Sequence, residues 1–299
     1  MRVRVKFAKY GAMKFIGHLE LMRFLHGAVR RAGLPVKYDE GMRRRMVMSF
    51  AMPLGVGPVS SAEYMDIEMD EPVPTQRALT LLRAQMCEGL EILDFREVDD
   101  SKKKKAMTIV AAAEYDVCFR QGYTPSWNWQ EGLREMMCME RIPWTKTTKK
   151  GTRELDMRPL IYSLSLCSYV PGEDGRLYRE DEPARAVQET YVGEQDLMVQ
   201  ETNTGDPDLT VQEVSTGEHS SIVQETSSEN KIRVDGFHAC LCCSVGDNLK
   251  PEQLIGELYR LRGEELQPFS LIVQRADLLT RREEDGALIS LGELGQEII

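Results

Sequence analysis

The sequence predicts an α+β fold of two tandem ferredoxin-like units, each ordered β-α-β-β-α-β, with the second interrupted by an insert. Three observations carry this. Stretches of period 2 and period 3.6 succeed one another in that order over residues 2–98. The order restarts beyond a charged break, DDSKKKK, at residues 99–105. A repetitive acidic segment then divides the restart. The expected division is a first unit at 1–99, a solvated linker at 100–106, a second unit at 107–170 and 231–290, and a disordered insert at 171–230.

In the first unit, Arg2, Arg4 and Lys6 alternate with Val3, Val5 and Phe7, which predicts a half-buried strand with one basic face. A helix is expected over 18–32. Gly17 stands at the N-cap with Glu20 three residues on, and Gly33 and Pro35 stop the helix. At 100° per residue, Phe15, Leu19, Met22, Leu25, Val29 and Ala32 share its apolar face. A second strand is expected over Met46–Met52 and a third over Ala62–Met69, with Met65, Ile67 and Met69 inward and Tyr64, Asp66 and Glu68 outward. Pro74 opens a helix over Thr75–Met86, and Leu90–Val98 reads as the fourth strand.

In the second unit, Thr108–Phe119 predicts a strand, Trp127–Met139 a helix, and Leu160–Tyr169 a strand. Arg233–Val245, Pro251–Leu261 and Phe269–Leu278 predict a strand, a proline-started helix and a last strand. In the insert, Val-Gln-Glu recurs at Val187, Val199, Val211 and Val223, with Gly193, Gly205 and Gly217 at a constant offset. Each unit is too poor in apolar residues to offset its ordering entropy, so disorder is expected there.

Charge is divided unevenly. The chain carries −10, but residues 181–230 hold twelve acids and one Arg, so removing their −11 leaves +1 for the rest. Residues 1–50 hold twelve Lys or Arg against three acids. A basic N-terminal region of this kind suits an anionic partner such as RNA. The expected contacts are Lys14, Arg30, Arg31 and the triplet Arg43, Arg44, Arg45. A basic hairpin over 145–159, with Gly151 at its tip, adds Lys149, Lys150, Arg153 and Arg158 as phosphate contacts without base readout.

The start, MRVRVKFAKY, has neither an apolar core nor a small-residue cleavage site, so no signal peptide is expected. No apolar run reaches the length of a membrane span. Seven cysteines without framework spacing suit a reducing cytoplasm. Cys240, Cys242 and Cys243 read as small buried thiols, because no second spaced pair exists to complete a metal site. His18 is the candidate catalytic group. At the first turn of its helix, the dipole favours an anion nearby and a neutral imidazole. The alternative for His18 and for His26 is a half-buried ring satisfied by a backbone carbonyl.

The runs KFAKYGAMKFIGHLELMRFLHGAVRRAGLPVKYDEG, MSFAMPLGVG, SAEYMDIEM, KKGTRELDMRP and GDNLKPEQL resemble, in that order, the radical SAM-linked protein family of bacteria. The resemblance covers about 1–170 and 231–290. It implies a partner, a large radical SAM protein encoded beside the chain or fused to it. It also implies that the iron–sulfur cluster and S-adenosylmethionine belong to that partner, with no cofactor in this chain. Lys14, His18, Arg31, Gly41, Ser49, Glu63, Tyr64, Asp66, Arg158 and Asn248 match the family pattern, which adds Glu63, Asp66 and Asn248 as candidate site residues. Two positions depart from it. Gly17 stands where members carry a cap serine, and Met42–Met46 replaces an Asn-Pro-His-Pro-like turn.

The expected function is an accessory partner of a radical SAM enzyme that binds or presents RNA or another anionic substrate. One alternative is a metal-independent RNA-processing nuclease resembling the repeat-associated RNases of CRISPR systems, with His18 acting on a 2′-hydroxyl. A structural adaptor is the other.

Overall fold

Valines at every second position set the first strand, β1 (Arg2–Lys9), at the centre of the N-terminal half. The computed structural model describes residues 1–148, 151–179, 232–244 and 246–299. The elements after β1 are α1 (His18–Arg31), β2 (Met48–Phe50), β3 (Val59–Glu68), α2 (Thr75–Arg83), β4 (Leu90–Val98), a single turn α3 (Ala106–Ile109), β5 (Val110–Phe119) and α4 (Trp129–Cys138). Then come the hairpin β6 (Pro143–Thr148) and β7 (Gly151–Asp156), β8 (Ile161–Pro171), β9 (Leu177–Arg179), β10 (Val234–Cys242), α5 (Pro251–Leu261), β11 (Leu271–Arg281) and β12 (Leu288–Ser290).

The protein is a mixed α/β structure. Ten strands form one sheet in the order β4-β1-β3-β11-β5-β10-β8-β9, with β2 added to β3 and β12 to β11. Among the described residues all strand pairings are antiparallel except β3 with β11, which run parallel where Val59 and Ser60 meet Gln274 and Arg275. Because that seam is only two residue pairs long, β2 shares the same edge of β3 further along, opposite Met65 to Ile67. The strands of the first half stand in space as β4-β1-β3-β2, and those of the second as β11-β5-β10-β8.

Two cores follow. Val5, Phe7, Leu25, Met65, Leu82 and Phe95 pack in the first half. Val117, Trp129, Leu133, Phe237, Leu258 and Val273 pack in the second. A fully buried leucine such as Leu25 contributes roughly 1.5–3 kcal/mol over leaving it in water.

Several expectations change against this architecture. The buried stripe of α1 is Leu21, Leu25, Ala28 and Val29. Phe15 and Leu19 are 66% and 56% exposed, so the apolar face is rotated from the expected one. Tyr64 and Asp66 are buried, not outward. Asp277 and Ser290 hold the Tyr64 hydroxyl at 2.6 and 3.0 Å, and the backbone N–H of Ala106 donates to Asp66 at 2.7 Å. Residues from the second half thus cover a face that period-2 patterning assigned to solvent.

The basic face of β1 is likewise used internally. Arg2 donates to the carbonyls of Asp99, Asp100 and Ser101 at 2.6–2.9 Å, and Arg4 forks onto Asp66 at 2.8 and 3.1 Å. The expected solvated linker is therefore held against β1 at its start. Residues 177–179, expected within the insert, form β9 on the end of β8, because the Gln274 side chain bonds both the N–H and the carbonyl of Leu177. The repeats, from 187 on, lie outside the described residues.

Gly236 has a steric cause. A Cβ there would lie 2.2 Å from the carbonyl oxygen of Val117 and 2.8 Å from the Tyr169 ring.

Candidate functional site

The site forms where β3 and β11 part, beneath the first turn of α1. β1 brings Lys9, β3 brings Glu63, β11 brings Arg275, and α1 brings His18 as its first residue. Glu63 and Arg275 are 5% and 1% exposed. Arg275 Nε donates to Glu63 Oε1 at 2.8 Å, and its Nη2 donates to Oε2 and, at 2.7 Å, to the carbonyl of Met52. A bidentate fork of this kind is among the stronger pairings in proteins.

Lys9 is 1% exposed, and among the described residues its Nζ has one acceptor, the Gly55 carbonyl at 3.4 Å. Burial holds its pKa below the ordinary value; Glu63 opposes that and Arg275 adds to it. Two buried cations thus face one carboxylate.

His18 is half-buried, and its ring meets Phe50 edge to face with centroids 5.1 Å apart. Burial lowers its pKa below the usual imidazole value, with Glu63 opposing and Lys9 adding, so the ring is neutral at pH 7. Among the described residues neither ring nitrogen has a hydrogen-bond partner. Gly17 caps α1 without a side-chain hydrogen bond, as glycine must. Near these residues in sequence, Phe15, Leu19 and Val56 are exposed apolar side chains. A neutral imidazole beside a buried excess of positive charge suits an anionic group.

The other expected residues lie apart from this centre. Lys14 sits over the Phe15 ring at 5.2 Å. Arg30 is exposed on the last turn of α1, and Arg31 is bound to Gln85 at 3.1 Å. Arg43, Arg44 and Arg45 are exposed on the loop between α1 and β2, and none makes a salt bridge among the described residues. Arg153 is exposed on β7 opposite Lys146, and Arg158 bonds the Ile161 carbonyl at 3.3 Å. Lys149 and Lys150 lie outside the described residues. Asp66 is committed to Arg4 and Ala106. Asn248 bridges Cys243, and its buried Oδ1 has no hydrogen-bond partner among the described residues. His26 departs from the expected carbonyl contact, since its buried Nε2 has no hydrogen-bond partner among the described residues.

Sequence reasoning missed Lys9 and Arg275, because alternation labels both as strand residues of no special kind. It also missed a second polar centre. Asp116 Oδ1 contacts His238 Nδ1 and accepts from the Tyr169 hydroxyl, both at 2.9 Å. Those carboxylates, Asp116 first and Glu114 after it, push the His238 pKa up to about 9. Cys240 and Cys242 are buried, and burial raises Cys240 to about 12, as expected of packed thiols. Among the described residues no group of three His, Cys, Asp or Glu is placed to hold a metal ion, and no helix is long and apolar enough to cross a membrane.

A family model described as an uncharacterized protein conserved in bacteria (DUF2344) matches residues 2–200. The chain belongs to that family. The matched span contains β1 to β9 and so holds Lys9, His18 and Glu63, while Arg275 and His238 lie beyond it. A search of curated proteins finds no match.

Proposed function

We propose that this DUF2344 member is an accessory partner of a radical SAM enzyme that binds RNA or a comparable polyanion and presents it for chemistry done elsewhere. One observation carries the reading: Arg43, Arg44 and Arg45 stand exposed on one loop with no acidic partner among the described residues. Clustered guanidinium groups left unpaired are an electrostatic footprint for phosphates. Arg30 and Arg153, also exposed, extend the basic surface. We further read the two halves as ferredoxin-like units, supported by the spatial orders β4-β1-β3-β2 and β11-β5-β10-β8. Under this reading the iron–sulfur cluster and S-adenosylmethionine are the partner's, and the complex works in the cytoplasm.

The nuclease reading is second. It draws on the neutral His18 beside Lys9, which has the protonation state of a general base. A structural adaptor remains the third reading, in which neither surface takes a ligand. Affinity capture of the full chain from its native cell, followed by mass spectrometry and sequencing of bound RNA, tests the proposal. Recovery of a radical SAM protein together with RNA supports it. Recovery of neither overturns it.

A further inference from the structure

The outer edge of β8 is unlike the other end of the sheet. Its inner edge is paired with β10 from Ile161 to Tyr169, whereas β9 covers the outer edge only from Tyr169 to Pro171. Tyr162–Ser168, with sequence YSLSLCS, has no partner strand on that edge among the described residues. It carries no charge, proline or glycine. Edge strands are ordinarily guarded by such residues, because free N–H and C=O groups recruit another strand. β4, at the far end, is guarded: it carries Glu91, Asp94, Arg96 and Glu97, and Gln296 bridges Glu97.

We propose that β8 is an interface with a second copy of this chain, the two β8 strands pairing antiparallel about a two-fold axis at Ser165. The sequence is self-complementary about that residue. Leu164 falls opposite the mate's Leu166, Ser163 opposite Cys167, and Tyr162 opposite Ser168. An isologous contact demands this property, since one patch meets itself. Leu164 and Leu166 are half-buried at the margin of the second core, so the cross-strand leucine pairs finish their burial. No like charges meet across the axis. Ser165 is exposed and central, so it marks the axis without belonging to the core.

Sedimentation equilibrium on the full chain tests this, with Ser165→Lys and Ser165→Cys beside the wild type and circular dichroism to verify folding. The wild type should be a dimer. Ser165→Lys, which sets two ammonium groups directly opposite, should raise the dissociation constant at least several-fold at an unchanged spectrum. Mild oxidation of Ser165→Cys should give an intermolecular disulfide joining the two introduced thiols, identified by peptide mass spectrometry. A wild type that is monomeric throughout overturns the proposal. So does a dimer that withstands Ser165→Lys and yields no such disulfide, since its interface then lies elsewhere.

Discussion

Glu63→Gln removes the one carboxylate of the buried centre while keeping its shape. The Glu63 and Arg275 side chains are 6% and 2% exposed, so water screens the pair little. The amide retains one acceptor for Arg275 but no charge. Arg275 and Lys9 are then two buried cations facing neutral groups, the amide, the Tyr115 hydroxyl and the carbonyls of Met52 and Gly55. Breaking a buried pair from one side costs roughly 3–5 kcal/mol. A retained neutral hydrogen bond returns about 1 kcal/mol of that. The expected loss is therefore about 3 kcal/mol, read from urea unfolding with an unchanged denaturant slope. Adding Arg275→Met removes one stranded cation, so the double variant should be more stable than the sum of the single losses predicts. A loss below about 1 kcal/mol, or strict additivity, would refute the account of this centre.

Three further outcomes follow from the same physics. His238 has its pKa raised from 6.5 to about 9, so its contribution is complete below pH 6.5 and fades as pH rises through 9. The wild type should lose on the order of 2 kcal/mol across that window, after allowing for solvent screening, and His238→Asn should flatten the slope in pH-dependent denaturation. His18→Ala should cost about 1 kcal/mol by calorimetry, through lost packing on Phe50, and the wild type should not cleave RNA. Metal-independent cleavage lost in that variant would put the nuclease reading first. Gly236→Ala should destabilise by about 3 kcal/mol or prevent folding, because the added methyl overlaps the Val117 carbonyl; near-normal thermal unfolding would count against the β10 backbone path.

The order of elements was legible because apolar periodicity is local. Pro251–Leu261 matches its expected bounds, and β1 and β4 match theirs closely. What stayed hidden is what distant segments do to one another. Tyr64 and Asp66 look like solvent-facing strand residues until residues 106, 277 and 290 cover them. Arg2 and Arg4 look like part of an anion-binding face, yet their guanidinium groups are spent on Asp66 and the 99–104 backbone. His18 was found from its place at a helix start. Its neighbours Lys9 and Arg275 were not, because they are 266 positions apart in the sequence. Nothing local marks a lysine ending one strand as the companion of an arginine in the last long one. Arg43–Arg45 were visible as a cluster, and the fold leaves them exposed.

The measurement closest to the central claim is the salt dependence of single-stranded RNA binding by the full chain, compared with the Arg43→Ala, Arg44→Ala, Arg45→Ala triple variant. Each phosphate neutralised contributes a slope near −0.7 in log affinity against log salt. The wild type should show a steep negative slope that is flatter by about two units in the triple variant, at unchanged thermal stability. Binding that ignores salt, equal slopes for the two proteins, or no binding at all would contradict it.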